Sequence, residues 1–304
     1  MAVKSTPPAE VVDPRHVWVD GQILPAEAPH LSAFDRGFQL GDGVFETLRA
    51  RGGRATELTE HLVRLHESAA GLGIALPAAA DATIARGIGE LLAAESLGGL
   101  EGDAAIRITV SRGRSFARGL LPAEPTTATL VIQAWPVVPP PAGHMERGLH
   151  LVSSAVRRDP ASPLAALKTT SRAEYVFARL EAKAAGGDDA LFLTLDGHLS
   201  EATTANLFTL KGRRLATPSL DCAILPGTTR SWMLGWAGRV GLEPFEGRLI
   251  PDDLAGADEA FLSSSVAGIL PVTRFDGQPI GNGVPGPWAG RARSDREAFI
   301  RGES

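Results

Sequence analysis

Cysteine is almost absent from this 304-residue sequence, where Cys222 stands alone. No intrachain disulfide and no cysteine-built zinc site is available, and Cys222 reads as a small core residue. Long apolar runs are missing too, since none approaches the ~20 residues a membrane-crossing helix needs. A surplus of positive charge is lacking: the formal net charge of −5 favours solubility and argues against a nucleic-acid groove. Residues 1–15 are rich in proline and polar residues and hold no signal-peptide core, so the expectation is a disordered start to a cytoplasmic protein. No Gly-x-Ser-x-Gly elbow occurs. His61 and His66 are five apart, which does not stack two metal ligands on one helix face; they read as surface or interface residues, and no metal is expected. Gly281-Asn282-Gly283-Val284-Pro285-Gly286 spells a dinucleotide fingerprint by letters alone, because Pro285 sits where the helix should begin.

What remains is an ordinary globular composition, 44% hydrophobic and 21% charged, sufficient to bury large cores. At roughly 150 residues per domain the length predicts two domains. Pro136 to Gly143, with three prolines in succession, is the linker candidate, since proline removes amide donors and stiffens a connection. The predicted division is 16–135 and 144–304. In the first part Asp20-Gly21 marks a two-residue hairpin. Val44 to Ala50, Ala105 to Val110 and Thr129 to Trp135 read as strands. Leu58, Leu62, Leu65, Ala69 and Leu72 make the stripe of a helix with Thr59 as its N-cap, and Ala79 to Ser96 makes another.

In the second part strands are predicted from Leu149, Ala190, Asn206, Leu215, Glu259 and Gly268. Ala173, Val176, Leu180 and Ala184 space out one helix, Thr228 to Val240 forms another, and a short helix closes the chain. Strands and helices mix without strict alternation, which predicts α/β domains of the α+β kind.

Three features of the second part carry chemistry. Taken alone, a lysine is most often solvated. Lys168, however, follows the apolar Leu164–Leu167 run and precedes the hydroxyl cluster Thr169-Thr170-Ser171 at a helix start. Glu201 sits between two strand-like runs, where an exposed turn carboxylate is the plain alternative. Leu225-Pro226-Gly227-Thr228-Thr229-Arg230 opens a helix with free backbone amides, an anion cradle. An amine nucleophile, a carboxylate and an anion cradle are what pyridoxal 5'-phosphate requires: a lysine for its aldehyde, a carboxylate for its pyridine nitrogen, and donors for its phosphate.

The resemblance rests on blocks in a fixed order: Asp35-Arg36-Gly37-Phe38-Gln39-Leu40-Gly41-Asp42-Gly43-Val44-Phe45-Glu46-Thr47, His61-Leu62-Val63-Arg64-Leu65, Leu167-Lys168-Thr169-Thr170, Ser200-Glu201 through Phe208, Leu225 to Arg230, and Ser263 to Val272. With these blocks the chain resembles the class IV, or fold-type IV, pyridoxal phosphate enzymes over most of residues 16–280. That group includes branched-chain and D-amino acid aminotransferases, (R)-amine transaminases and aminodeoxychorismate lyase. The resemblance implies a smaller N-terminal α/β domain, a larger C-terminal pseudo-barrel domain, and the cofactor between them. It implies Lys168 as the Schiff-base lysine, Glu201 as the partner of the pyridine nitrogen, and Arg64 as a phosphate ligand. Gly227, Thr228, Thr229, Ser264 and Ser265 would complete the phosphate cup.

It also implies a homodimer in which a loop from the partner closes each site. The Ser111–Leu121 loop takes that role, and Arg118 is chosen over Arg112 and Arg114 to hold the substrate carboxylate. Phe38, Leu40 and Phe45 would form an apolar side of the substrate pocket. The expected activity is ping-pong transamination between an amino donor and an α-keto acid acceptor. The alternatives are the lyase, which releases pyruvate, and a non-catalytic cofactor-binding protein. Phe45, where D-amino acid enzymes usually carry tyrosine, and Thr47, where branched-chain enzymes often carry glycine, leave the donor open.

Overall fold

Two sheets organise the computed structural model, which describes residues 13–122 and 125–303. The expected disorder of residues 1–15 falls mostly outside the described residues. Arg15 is ordered, with its backbone N–H donating to the Glu95 carboxylate at 3.1 Å.

The N-terminal lobe runs β1 (His16–Val19), β2 (Gln22–Pro25), α1 (Arg36–Leu40), β3 (Gly43–Arg51), β4 (Arg54–Ala55), α2 (Leu58–Gly71), α3 (Ala80–Ala94), β5 (Asp103–Ser111) and β6 (Thr129–Pro136). Its six strands are ordered β2-β1-β6-β5-β3-β4 and pair antiparallel throughout. The Asp20-Gly21 turn takes positive φ at both residues, as a two-residue hairpin demands. The strand period of two gives the sheet two different faces. Ala104, Ile106, Ile108 and Val110 of β5 pack with Val44 and Leu48 of β3 against Leu65 and Leu91 of the helices. The opposite parity, Phe45, Thr47 and Arg107, points away from that core into the cleft between the lobes.

The C-terminal lobe runs α4 (Ala142–Glu146), β7 (Leu149–Arg158), α5 (Ala173–Ala184), β8 (Asp189–Thr194), β9 (Leu199–Ala202), β10 (Asn206–Lys211), β11 (Arg214–Pro218), α6 (Thr228–Arg239), β12 (Glu243–Gly247), α7 (Pro251–Ala255), β13 (Glu259–Ser264), β14 (Gly268–Phe275), β15 (Gln278–Pro279) and α8 (Pro287–Arg301). Eight of its nine strands follow the order β12-β11-β10-β13-β14-β7-β8-β9, with β15 paired to β14. The sheet curls until β9 lies beside β10 and β11, a partly closed barrel. Cys222 is buried, as expected of a small core residue.

Two local expectations are corrected, the α2 cap and the length of the closing helix. Thr59 is not the N-cap of α2: Glu57 takes that place with a left-handed φ of 53° and gives no side-chain cap, because its carboxylate is engaged by Arg296. On α5, which forms as expected, the spaced residues Ala173, Val176, Leu180 and Ala184 face outward. Ala178 and Ala182 are the buried positions, packed with Ala190 and Phe192, whereas Val176, Phe177 and Leu180 are each more than half exposed. Small residues let α5 approach β8 closely, which leaves the larger apolar side chains outside. The closing helix is not short, because Pro287 starts α8 and the helix runs fifteen residues in all, to Arg301.

Candidate active site

The cleft between the lobes has a volume of about 370 Å³, and segments distant in sequence supply its walls. Strand β3 reaches across to the lysine segment: Phe45 N–H donates to the Lys168 carbonyl at 3.0 Å, and Thr170 N–H donates to the Gly43 carbonyl at 2.9 Å. Lys168 N–H donates to Ser68 Oγ on α2 at 3.1 Å. These bonds hold Lys168 between two elements of the other lobe, with Nζ 4.6 Å from the Phe45 ring centroid. Burial lowers the Lys168 pKa to about 8, with Arg64 and Arg172 adding to the fall while Glu46 and Glu201 oppose it. A free-base amine is therefore accessible near neutral pH, as a nucleophile requires.

Glu201, on β9, is buried in the opposite wall. Its Oε2 accepts from Leu225 N–H at 3.0 Å and from Asn206 Nδ2 at 3.3 Å, and its Oε1 lies 4.0 Å from Arg158. Burial raises its pKa against the pull of the Leu225 amide and the surrounding cations. A carboxylate that is desolvated yet held in one orientation suits a protonated ring nitrogen.

The far end of the cleft is the N-terminus of α6. Gly227 is its N-cap and offers no side chain to the first amides. A Cβ at Gly227 would come within 2.1 Å of Asn206 Oδ1, so glycine is needed for the close approach as well as for open amides. Thr228, Thr229, Ser264 and Ser265 line the same end, and Thr228 Oγ1 lies 3.3 Å from Ser265 Oγ. Unsatisfied helix amides, hydroxyls and a cation form an anion site.

Arg64 supplies the cation, and its geometry explains a buried carboxylate. Glu46 sits on the core face of β3 with no exposure. Arg64 Nε and Nη2 donate to its two oxygens, each at 2.7 Å, and His61 Nδ1 lies 2.7 Å from Oε2. Burial alone would raise the Glu46 pKa, but the Arg64 and His61 hydrogen bonds outweigh it and bring the value to about 2. Arg64 Nη1 donates to the Pro226 carbonyl at 2.7 Å. Of five guanidinium hydrogens these bonds take three, leaving one on each Nη for an anion. His61 is fully buried, which corrects its reading as a surface or interface residue. It spaces with Leu65 and Ser68 on the inner side of α2, and its Nε2 lies 3.3 Å from Thr228 Oγ1. His66, by contrast, is exposed and pairs with Asp81.

Other sequence candidates lie elsewhere. Phe45 lines the cleft, but Phe38 and Leu40 are exposed on α1, at 75% and 43%. Arg118 is exposed and outside the cleft lining. Arg112 is not free to bind a substrate: it donates to both Asp42 oxygens and to the Leu72 and Gly73 carbonyls. Asp42 also takes Arg36, whose remaining donors reach the Gly119 and Leu120 carbonyls. Much of the Asp35–Gly43 block thus holds the loop that follows β5.

Two cleft arginines were missed in the sequence. Arg107 lies 3.9 Å from the Phe45 ring centroid and Arg172 lies 5.8 Å from it. Arg172 also stacks 3.1 Å from the centroid of Tyr175, whose hydroxyl accepts from Arg158. Among the described residues neither Arg107 nor Arg172 pairs with a carboxylate, and burial depresses the pKa of both. The signal for Arg107 was its parity, a charge on the strand face opposite Ile106 and Ile108.

The family model "Amino-transferase class IV" matches residues 43–275. A D-alanine aminotransferase of Bacillus licheniformis is 31% identical over 89% of this chain and 92% of its own. An aminodeoxychorismate lyase of Bacillus subtilis is 31% identical over 86% of each. Among solved structures, a branched-chain amino acid aminotransferase of Escherichia coli superposes at a TM-score of 0.89, with 25% identity over 96% of both chains. A T.th. branched-chain amino acid aminotransferase, solved with pyridoxamine 5'-phosphate, superposes at 0.89 with 27% identity over the same share of each. The chain belongs to the class IV aminotransferase family of pyridoxal 5'-phosphate enzymes, and its two lobes have the fold-type IV architecture.

Proposed function

We propose that the chain is a pyridoxal 5'-phosphate-dependent transaminase that exchanges an amino group between an amino acid and an α-keto acid. The observation that carries this reading is the pairing, in one cleft, of a lysine with depressed pKa and an oriented buried glutamate, beside an anion site built on a helix N-terminus. The residues present fit the cofactor, since Gly227 leaves the amides open and Arg64 keeps donors free. When bound, the cofactor supplies an electron sink for the negative charge that develops at the substrate Cα.

Lys168 would hold the cofactor through its aldehyde, and its Nζ, once freed by the donor amine, would be the group that carries the substrate Cα proton. Glu201 holds the pyridine nitrogen and keeps its proton in place. Arg64, Gly227, Thr228, Thr229, Ser264 and Ser265 hold the phosphate, with Glu46 and His61 fixing Arg64 and Thr228. Phe45 forms one wall of the substrate space, and Arg107 and Arg172 beside it are the carboxylate-recognising groups of this chain. Two desolvated guanidinium groups without carboxylate partners favour a substrate that brings negative charge.

Phe38, Leu40 and Arg118 then belong to the cleft of a second copy. Exposed Leu31, Phe34, Phe116, Leu120 and Leu121 lie in the same two segments, with the Phe34 and Phe116 rings 5.0 Å apart. A patch of this kind, together with the outward stripe of α5, fits a homodimer. The lobes divide in this reading at 136–143. Among the described residues no helix is long and apolar enough to cross a membrane.

The second reading is the lyase, favoured by the similarity to the Bacillus subtilis enzyme at the same identity as the D-alanine aminotransferase. A screen of L-amino acids, D-amino acids and (R)-amines, each supplied without acceptor, separates the two. A transaminase converts its cofactor stoichiometrically to the pyridoxamine form. Pyruvate release with the aldehyde retained would instead identify the lyase. A non-catalytic role would survive Lys168→Ala with its biological effect unchanged.

A further inference from the structure

The C-terminal helix α8 lies on β13 and β14 of the large lobe, yet it is tied to the small lobe at closely spaced positions. Glu297 accepts from Arg49 Nη1 at 2.7 Å, and the Ile300 carbonyl accepts from Arg54 Nη2 at 3.0 Å. Just before Glu297, Arg296 is only 1% exposed and points into the interior. Its Nη1 donates to Glu57 Oε1 at 3.0 Å and its Nη2 to Glu57 Oε2 at 2.5 Å. The same Nη2 lies 3.4 Å from Thr229 Oγ1. The guanidinium is 5.1 Å from the Trp232 ring centroid and 5.0 Å from that of Phe299, so aromatic rings fix its plane.

Each partner of Arg296 stands at the root of one wall of the phosphate end. Glu57 is the residue before α2, and the next turns of that helix carry His61 and Arg64. A non-glycine residue at φ 53° costs on the order of 1 kcal/mol and persists only where surroundings hold it. Here the two-bond fork from Arg296 holds it, and Glu57 gives up helix capping to accept that fork. Thr229 is in the first turn of α6, whose amides face the cleft from the other lobe. One side chain from a third element therefore contacts the starts of both helices that shape the anion site. A lysine could not hold the same geometry, because it has one donor centre and no fork.

We infer that Arg296 is a positioning residue for the phosphate end of the site, a clasp that sets the spacing of α2 and α6 through Glu57 and Thr229. The inference rests on the cofactor reading above. It predicts that loss of the clasp weakens the grip on phosphate while leaving the grip on the ring alone.

The test uses full-length protein freed of cofactor and titrated separately with pyridoxal 5'-phosphate and with pyridoxal, which lacks the phosphate. Arg296→Met and Glu57→Gln should each weaken pyridoxal phosphate binding roughly ten-fold or more, the scale of a lost charge-assisted hydrogen bond. Pyridoxal affinity should stay within about two-fold, and the double variant should lose no more than the stronger single one. Arg296→Lys should recover only part of the loss, and it serves in place of Arg296→Met if that variant does not fold. Folded variants with unchanged pyridoxal phosphate affinity, or with equal losses for both ligands, would overturn the clasp while leaving the cofactor reading intact. A wild-type protein that binds neither ligand would overturn the cofactor reading and the clasp with it.

Discussion

The two ends of the cleft treat charge in opposite ways. At the phosphate end Arg64 is fixed by Glu46 and the Pro226 carbonyl, Glu46 is shared with His61, and His61 passes on to Thr228. At the substrate end Arg107 has one side-chain partner, Thr109 Oγ1 at 3.2 Å, and Arg172 donates to the Thr203 carbonyl. The first end is preorganised, so an anion arriving there meets donors already oriented. The second keeps cations desolvated and without carboxylate partners, so a carboxylate that enters would gain an interaction the chain itself does not satisfy. A cofactor site benefits from permanent order, whereas a site that must exchange donor for acceptor benefits from donors left open.

The largest expected break in this contrast comes from Glu201→Gln, which in the proposed reading would leave the ring nitrogen without a carboxylate. Cofactor should still bind, with the rate of Cα proton removal lower by roughly 10²-fold or more, the usual scale of losing an oriented charge partner. Single-turnover absorbance changes would show it, and an unchanged rate would remove Glu201 from the mechanism.

Glu46→Gln attacks the ordered end. The Glu46 pKa of about 2 lies below its ordinary 4.5. Its contribution to stability is therefore present in full above pH 4.5 and is lost as pH falls through 2. That difference corresponds to about 3 kcal/mol by linkage, so the variant should lower the denaturation midpoint at pH 7 and flatten the acid limb of the stability curve. A curve parallel to the wild type would show that folding does not shift the Glu46 pKa.

Arg107→Gln and Arg172→Gln attack the open end and should spare folding. Each should raise KM for the keto-acid acceptor by about ten-fold with little change in kcat, as the loss of a charge-assisted contact does. If Arg118→Gln alone has that effect, the carboxylate is held by a neighbouring copy.

The smallest effect is on pH. Cofactor uptake by the freed protein should rise through about pH 8, where Lys168 loses its proton. Glu46 raises the Lys168 pKa, so Glu46→Gln should move that rise to lower pH. A midpoint that stays fixed would separate the two groups.

The same contrast explains what could be read from the sequence. Lys168, Glu201 and Gly227-Thr228-Thr229 stand out because each combines an unusual residue with a local turn, and a turn is a short-range property. The hairpin at Asp20-Gly21 and the main helices were legible for the same reason. His61, Arg107 and Arg172 were not. His61 is buried because Glu46, fifteen residues away, turns inward to meet it. Arg107 enters the cleft only because the β3–β5 register places it opposite Thr47. The spacing on α5 located the helix but not the face it buries, because helical periodicity identifies an apolar stripe but not the body it will cover. In the proposed homodimer that stripe, the exposed Phe38 and the exposed Arg118 would be covered by the second copy.

The central claim is that Lys168 is the residue bonded to the cofactor, and reductive trapping tests it most directly. Purified protein with pyridoxal 5'-phosphate bound is treated with borohydride, digested and mapped by mass spectrometry. The pyridoxyl label should fall on the peptide containing Lys168, and Lys168→Ala should abolish it while the fold is retained. A label on another lysine such as Lys183 or Lys211, or an undiminished label in Lys168→Ala, would contradict the account.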